Sequence, residues 1–547
     1  MTGSPPLHVS SVSSVSSRER QIAVVLWVCG AVLIGCAAVF VVMTRHWPMV
    51  GDAALLHYVV FLIEHGWAPY RDFADVNMPG AYAVTALGML LPGQPDAAWR
   101  VFDLALVALA GVGYYAIARP YSRFAALFAT VLLLLVHGQD GVQQAGQRDL
   151  VIAALLLLGV ASLVEGLRRE QWAYVVPFGL LVGMAATIKP TALPFGVVLL
   201  AMAALYRRRC WPGASTRPVA TVGWIVTGLA AMVCAPVAML LWLSGRYHAL
   251  DAWIAMQRVL LPYYATLERR PFGFTLTHSI SPLLALVLLW LACLAARSLG
   301  RNAESVRQGW PRFERLLIAA AAVMNLIGLL AQGKALPYQR YPMLAFLLLL
   351  ISLDLATTLR AGRAGYWAMA GLACGALVLA PQALVRVHRF DPRPQEFDAM
   401  LASDLQRLGG SRLSGRVQCL DTIQDCLPTL FSERLLPATG TLSDTAIFSP
   451  SESPAVRYVR RQFAQALNTH PPAVIVLVSG SFLDSTGGFT KVDAWPEFAA
   501  WLGAHYTLTV ERTPPHMVRW WSRPQPAPSY RLYLRNATAG VTNALPH

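Results

Sequence analysis

Charge is what this 547-residue sequence has least of: only 13% of its residues are Asp, Glu, Lys or Arg, while 56% are hydrophobic. A soluble domain carries about 25% charged residues. The shortfall excludes a wholly water-soluble enzyme and makes lipid the solvent for most of the chain. Lysine is almost missing, occurring only at Lys189, Lys334 and Lys491. The formal charge of +15 therefore rests on arginine, set in short clusters between apolar runs. That distribution excludes nucleic acid as a partner and reads as loops held on the cytoplasmic side of a membrane. The sequence also lacks an internal repeat, which argues against the doubled architecture usual in transporters.

What is present is a series of apolar runs near the ~20 residues that a helix needs to cross the hydrocarbon core. Mean hydropathy is +0.49. Residues 1–20 are Ser-rich and polar, and read as a disordered cytoplasmic tail. The first apolar run, 21–43, contains Leu33-Ile34-Gly35-Cys36, which matches a lipoprotein cleavage box. Ala37 to Val42 continue the run past the cysteine, so it is read as an uncleaved span. Further spans are expected near 99–118, 122–137, 150–165, 172–188, 191–206, 219–243, 274–296, 314–331, 340–359 and 365–387. With the N-terminus inside, Arg119/Arg123, Arg168/Arg169, Arg207-Arg208-Arg209, Arg297 through Arg315 and Arg360/Arg363 fall in cytoplasmic loops, as the positive-inside rule requires. The outer segments are then 44–98, 138–149, 244–273 and 332–339.

The expected fold is a polytopic α-helical membrane protein of about 11 transmembrane helices in a bacterial inner membrane. Its transmembrane domain covers 21–387, with an outer loop 44–98 carrying amphipathic helices. From 388 to 547 the composition turns polar. The strand-like run Ala473 to Val478 and the helical pattern Val456 to Leu467 predict a small periplasmic α/β domain. Cys419 and Cys426 stand close together there, either as a disulfide of an exported domain or as two buried thiols. Trp520-Trp521, with Tyr506 and Tyr530, are either sugar-stacking or core aromatics.

Three groups of residues carry candidate chemistry. Asp52 heads a run in which Leu55, Val59 and Leu62 recur at helical spacing, as in a helix lying along the membrane face. A carboxylate there is either an anion held by the helix dipole or an ordinary cap. Gln147-Arg148-Asp149 precedes the fourth span, with Asp140 nearby, and is either functional or a surface ion pair. The outer basic residues Arg71, Arg148, Lys189, Lys334 and Arg340 form the third group. Lys189 lies between two spans with only a tight turn around it. A cation in that setting needs a partner, and a lipid phosphate would supply one; the alternative is snorkelling to headgroups.

The layout of residues 20–390 resembles the GT-C membrane glycosyltransferases of family 39, namely the protein O-mannosyltransferases and the lipid A aminoarabinose transferase. The resemblance rests on Asp52 after the first span and on Pro69-Tyr70-Arg71-Asp72-Phe73 with Asn77-Met78-Pro79-Gly80. It also rests on Gln147-Arg148-Asp149, Lys189-Pro190, and Gln332-Gly333-Lys334 with Pro337-Tyr338. Two departures stand out: Ala53 follows Asp52 where many relatives have a second acid, and Gln339 follows Tyr338 where many have His.

The resemblance implies an inverting transfer of a sugar from a polyprenyl-phosphate donor to a glycan, lipid or protein acceptor. It implies Asp52 and Asp149 as catalytic carboxylates, with Arg71, Arg148, Lys189, Lys334, Tyr338 and Arg340 as substrate and phosphate ligands. No cofactor is required, and two carboxylates do not by themselves predict a divalent metal site. A flippase for a lipid-linked saccharide and a non-catalytic envelope assembly protein are the competing readings.

Overall fold

In lipid every backbone polar group must be satisfied within its own segment, so long apolar runs fold as helices. The computed structural model describes residues 17–210, 218–299, 310–389, 394–422, 425–480, 488–514, 528–536 and 545. Its first half contains α1 (Ser17–Thr44), α2 (Asp52–Glu64), α3 (Pro79–Met89), α4 (Pro95–Ala118), α5 (Arg123–Gly138), α6 (Arg148–Arg168), α7 (Val175–Ile188) and α8 (Ala192–Cys210). There follow α9 (Pro218–Tyr247), α10 (Leu250–Thr266), α11 (Phe272–Ile280), α12 (Leu284–Leu299), α13 (Arg312–Gln332), α14 (Tyr341–Thr358), α15 (Gly362–Ala373) and α16 (Ala380–Arg389).

Among the described residues, eight helical stretches are long and apolar enough to cross a membrane: 17–44, 95–118, 148–168, 221–247, 272–299, 312–332, 337–358 and 362–387. Three of the eleven expected spans fall outside that set. The stretches 123–138 and 172–188 are apolar but shorter, and α8 ends on Arg207, Arg208 and Arg209. The spans 148–168 and 337–358 are each 83% buried, against 22% for 17–44. α6 and α14 are therefore the centre of the bundle, and α1 is its lipid-facing rim.

The C-terminal part carries α17 (Pro394–Leu408), β1 (Val417–Leu420), α18 (Cys426–Ser432), α19 (Pro454–Thr469), β2 (Val474–Val478), α20 (Pro496–His505), β3 (Tyr506–Arg512) and β4 (Tyr530–Arg535). The sheet order is β1-β2-β4-β3. β1 and β2 are parallel, with Val417 opposite Val474, and β4 is antiparallel to both its neighbours. β2, Val-Ile-Val-Leu-Val, is buried at all five positions, as a central strand covered on both faces requires. Cys419 and Cys426 form a disulfide with Cα atoms 6.2 Å apart. Most of the expected polar tail, 1–16, and Trp520-Trp521 lie outside the described residues.

This part sits directly on the loop after α1. The Tyr58 hydroxyl donates to the Leu435 carbonyl at 2.9 Å, and the Ala74 N–H donates to the Gly440 carbonyl at 3.0 Å. A Cβ at Gly440 would lie 1.9 Å from the Asp72 carbonyl oxygen, so the close approach requires glycine. The consequence for α2 differs from the expected amphipathic surface helix. Every residue from Ala53 to Leu62 is buried, because α2 lies covered between the helix bundle and the C-terminal part.

Candidate active site

Asp52 is the first residue of α2 and follows Gly51, whose φ of 57° lies in the left-handed region. That turn aims the Asp52 carboxylate back toward the head of α6. There Arg148 Nη2 donates to Asp52 Oδ2 at 2.9 Å, and both side chains are only partly covered, at 20% and 30% exposure. The next residue, Asp149, faces the end of α7, where Lys189 is the cap: Lys189 Nζ donates to Asp149 Oδ1 at 2.7 Å. Arg148 and Asp149 are neighbours on one helical turn, so the two ion pairs stand side by side.

A third cation closes the group. Lys334 Nζ lies 3.1 Å from the centroid of the Tyr264 ring, a cation–π arrangement between α10 and the loop before α14. Burial pushes the Lys334 ammonium down to about 8, the nearby Lys189 charge acting in the same direction and Glu268 against it. Tyr338 lies within electrostatic reach of Asp52, Arg148 and Asp149, and Tyr264 of Arg148, Asp52 and Asp75. Asp52, Arg148, Asp149, Lys189, Lys334 and Tyr338 are thus gathered at one end of the bundle.

Two further predicted ligands are paired with other carboxylates. Arg340, buried to 2% exposure, pairs with Asp140. Arg71 pairs with Asp72 at 2.9 Å and donates from Nη1 to the Tyr247 carbonyl at 3.1 Å, near the opposite end of α2 from Asp52.

Asp75 and Tyr264 join the site although neither stood out in the sequence. The Asp75 carboxylate accepts from the Asn77 backbone N–H at 3.1 Å, from Asn77 Nδ2 at 2.9 Å and from the Tyr82 hydroxyl at 3.0 Å. Burial raises its pKa despite those donors and the nearby Arg148 charge. The available signal was the density of polar residues in 69–80, which could not say which carboxylate turns inward.

The loop that delivers Arg148 is held from below. The Gly146 N–H and His137 Nε2 both lie against Asp103 Oδ1, at 2.6 and 2.8 Å, and Arg100 pairs with the other oxygen of that carboxylate. The Trp99 indole N–H donates to the Ala145 carbonyl at 3.3 Å. Gly146 has φ 62°, and a Cβ there would meet Trp99 at 2.0 Å. A buried, fully engaged carboxylate of this kind rigidifies what it touches, and here it sets where Arg148 begins α6.

Residues 76–242 match the family model of the dolichyl-phosphate-mannose-protein mannosyltransferases. ArnT from Cupriavidus metallidurans, solved bound to undecaprenyl phosphate, has a similar structure. The TM-score is 0.58 at 13% identity, covering 95% of this chain and 99% of that one. The archaeal oligosaccharyltransferase AglB from Archaeoglobus fulgidus, solved with an inhibitory peptide and a dolichol-phosphate, aligns with TM-score 0.50 at 12% identity. That match covers 82% of this chain and 69% of the other. The mycobacterial arabinofuranosyltransferase AftD aligns with TM-score 0.51 at 14% identity, over 92% of this chain and 41% of its own length. None of the curated proteins is a significant sequence match.

Fold and apolar helices together define a multi-pass membrane protein with the GT-C glycosyltransferase fold. Within that class the chain resembles the protein mannosyltransferases and ArnT.

Proposed function

We propose that this protein is an inverting glycosyltransferase, moving a sugar from a polyprenyl-phosphate donor to an acceptor at the periplasmic face of a bacterial inner membrane. The observation that carries the proposal is the convergence of Asp52 with Arg148, Lys189 and Lys334. Arg148 holds Asp52, Lys189 holds the adjacent Asp149 and Lys334 lies over Tyr264, so three cations from separated segments of chain gather beside two neighbouring carboxylates.

Lys189, Lys334 and Arg148 are the phosphate ligands, and Tyr338 lines the same space. As the bond between the anomeric carbon and the phosphate oxygen breaks, negative charge grows on the departing lipid phosphate. Fixed cations already in place stabilise that charge without reorganising. Asp52 is the general base. Its Oδ2 is engaged by Arg148, and Oδ1 has no hydrogen-bond partner among the described residues, so that oxygen is free to take the acceptor proton. The acceptor oxygen or nitrogen then attacks opposite the phosphate and the anomeric centre inverts, by the geometric logic of inverting hydrolases. Asp149 orients Lys189 through their 2.7 Å contact and is the second carboxylate of the site.

The same reading has eleven crossings of the membrane, the N-terminus in the cytoplasm and the region 388–547 outside. The short helices α5 and α7 and the Arg-ended α8 complete the crossings: α5 is buried along most of its length, while α7 and α8 each keep an exposed apolar side, at Leu180 and Met184 and at Val197 and Leu205.

The test is transfer from radiolabelled polyprenyl-phosphate sugars by the purified protein in lipid, wild type beside Asp52→Asn. A positioned base is worth roughly 10²–10⁴ in rate, so the variant is expected to lose that much turnover while still binding donor. Equal turnover in both proteins moves the base to another carboxylate. Donor binding without turnover by the wild type, across a broad acceptor set, rejects the enzyme reading.

A further inference from the structure

At the opposite end of α2 from Asp52, a cavity of about 250 Å³ is lined by Ile63, Glu64, Arg71, Arg246, Tyr247 and His248. Its charges are unusual in how they are left. Arg71 spends three of its five N–H groups, two on Asp72 and one on the Tyr247 carbonyl. Arg246 lies over the Tyr247 ring, 5.4 Å from its centroid. Neither Arg246 nor Glu64 has an ion-pair or hydrogen-bond partner among the described residues. Two opposite charges therefore line one cavity without pairing with each other.

The cavity also stands at the end of a lipid-facing surface. Arg246 is in the last turn of α9, a span in which Val233, Val237 and Leu241 are 48%, 47% and 67% exposed. These positions recur every four residues, so they form one exposed apolar side of α9, and the span ends a turn later beside the cavity. An acyl chain along that side of α9 would bring its headgroup to the end of the span, the level of Arg246.

We propose that this cavity binds the headgroup of a membrane phospholipid, a phosphodiester bearing a primary amine, as in phosphatidylethanolamine. The phosphate sits against the free Arg246 guanidinium and the two unspent N–H groups of Arg71, a charge-assisted contact of the strong kind. The ammonium sits against Glu64. Charge balance selects this headgroup. Asp72 already offsets Arg71, so a purely anionic headgroup would meet the Glu64 carboxylate with only one uncommitted cation. A choline headgroup has no N–H to give that carboxylate. The site is distinct from the proposed active centre and adds a lipid ligand to the protein whether or not the transfer reaction is correct.

The test is native mass spectrometry of the full-length protein in detergent. The probes are dioleoyl phosphatidylethanolamine, phosphatidylglycerol, phosphatidylcholine and soluble phosphoethanolamine. Wild type should retain phosphatidylethanolamine about tenfold better than the other two lipids, the equivalent of one charge-assisted hydrogen bond. Arg246→Gln should lose that retention. Glu64→Gln should keep a bound phospholipid but no longer prefer phosphatidylethanolamine over phosphatidylglycerol. Both substituted side chains are exposed, and an unchanged melting temperature checks that the variants fold. Equal retention by wild type and Arg246→Gln would overturn the site. An unchanged preference in Glu64→Gln would overturn the amine assignment. Displacement of the lipid by equimolar phosphoethanolamine would assign the cavity to a free solute and overturn the lipid.

Discussion

Arg148 donates to the Asp52 carboxylate across 2.9 Å although 96 residues of chain separate them. The pair joins the start of α2 to the start of α6, so the carboxylate proposed as the base is oriented by a different helix from the one that bears it. Breaking the pair should therefore act on geometry as well as on charge.

Arg148→Ala is expected to lower transfer at least as much as donor binding, since Asp52 loses its orientation and the phosphate loses a ligand. With both side chains partly exposed, the stability cost should stay at about 1–2 kcal/mol, below that of a fully buried pair. Arg148→Lys should restore the charge without the planar fork and recover donor binding more than turnover. Parallel melting curves and donor titrations would check the split.

Lys334 supplies a pH dependence with a definite sign. Its ammonium is pushed down to about 8 by burial, so in the empty site it discharges as the pH rises through that value. Affinity for a polyprenyl-phosphate sugar, whose phosphodiester does not titrate in this range, should fall above pH 8. Lys334→Arg should abolish the fall, because a guanidinium stays charged. Donor binding measured from pH 6.5 to about 9.5 decides it, and an identical profile for the two proteins would remove Lys334 from the phosphate site.

Gly146→Ala should damage the site without touching it. The new Cβ would lie 2.0 Å from Trp99 at a φ of 62°. A non-glycine residue held there costs on the order of 1–2 kcal/mol before any clash is counted. The turn that begins α6 must shift, carrying Arg148 and Asp149 with it. Lowered thermal stability together with weakened donor binding would confirm the linkage; loss of stability alone would make Gly146 a purely structural position.

The Cys419–Cys426 disulfide closes a short loop around the end of β1. The chain-entropy account gives about 2.5 kcal/mol for a loop of this size. Replacing both cysteines with serine should lower the melting temperature by that equivalent, and reduction of the wild type should do the same. A thiol-reactive mass tag that labels neither cysteine before reduction would verify the bond in the purified protein.

Much of the fold was legible because the deciding terms are local. Runs such as Leu150 to Leu157 or Leu344 to Ile351 are apolar at nearly every position, and such a helix has to be buried or in lipid; both proved to be the bundle centre. The strand β2 was visible for the same reason, as five consecutive β-branched and aliphatic residues. α2 was harder. Its spacing of Leu55, Val59 and Leu62 reads as one apolar face, but the C-terminal part covers the other face as well. A partner hundreds of residues away leaves no mark on a helical period. The three short or Arg-ended helices show the matching limit, since apolar length says what a segment tolerates and not how far it reaches.

The site divides along the same line. Asp52, Arg148, Asp149 and Lys189 stood out because each is a charge beside an apolar run, and an uncompensated charge there is costly wherever the chain goes. Arg71 stood out equally, yet it pairs with Asp72 and lines the cavity beside Arg246. Asp75 did not stand out, yet it is buried within reach of Arg148. Residue type and local hydropathy set the cost of placing a charge near lipid, so the sequence by itself determined the solvent, the run of helices and the need for partners. Which charge meets which depends on distances between segments far apart in the chain, and Coulomb energy falls with those distances. That choice was made only by the tertiary structure.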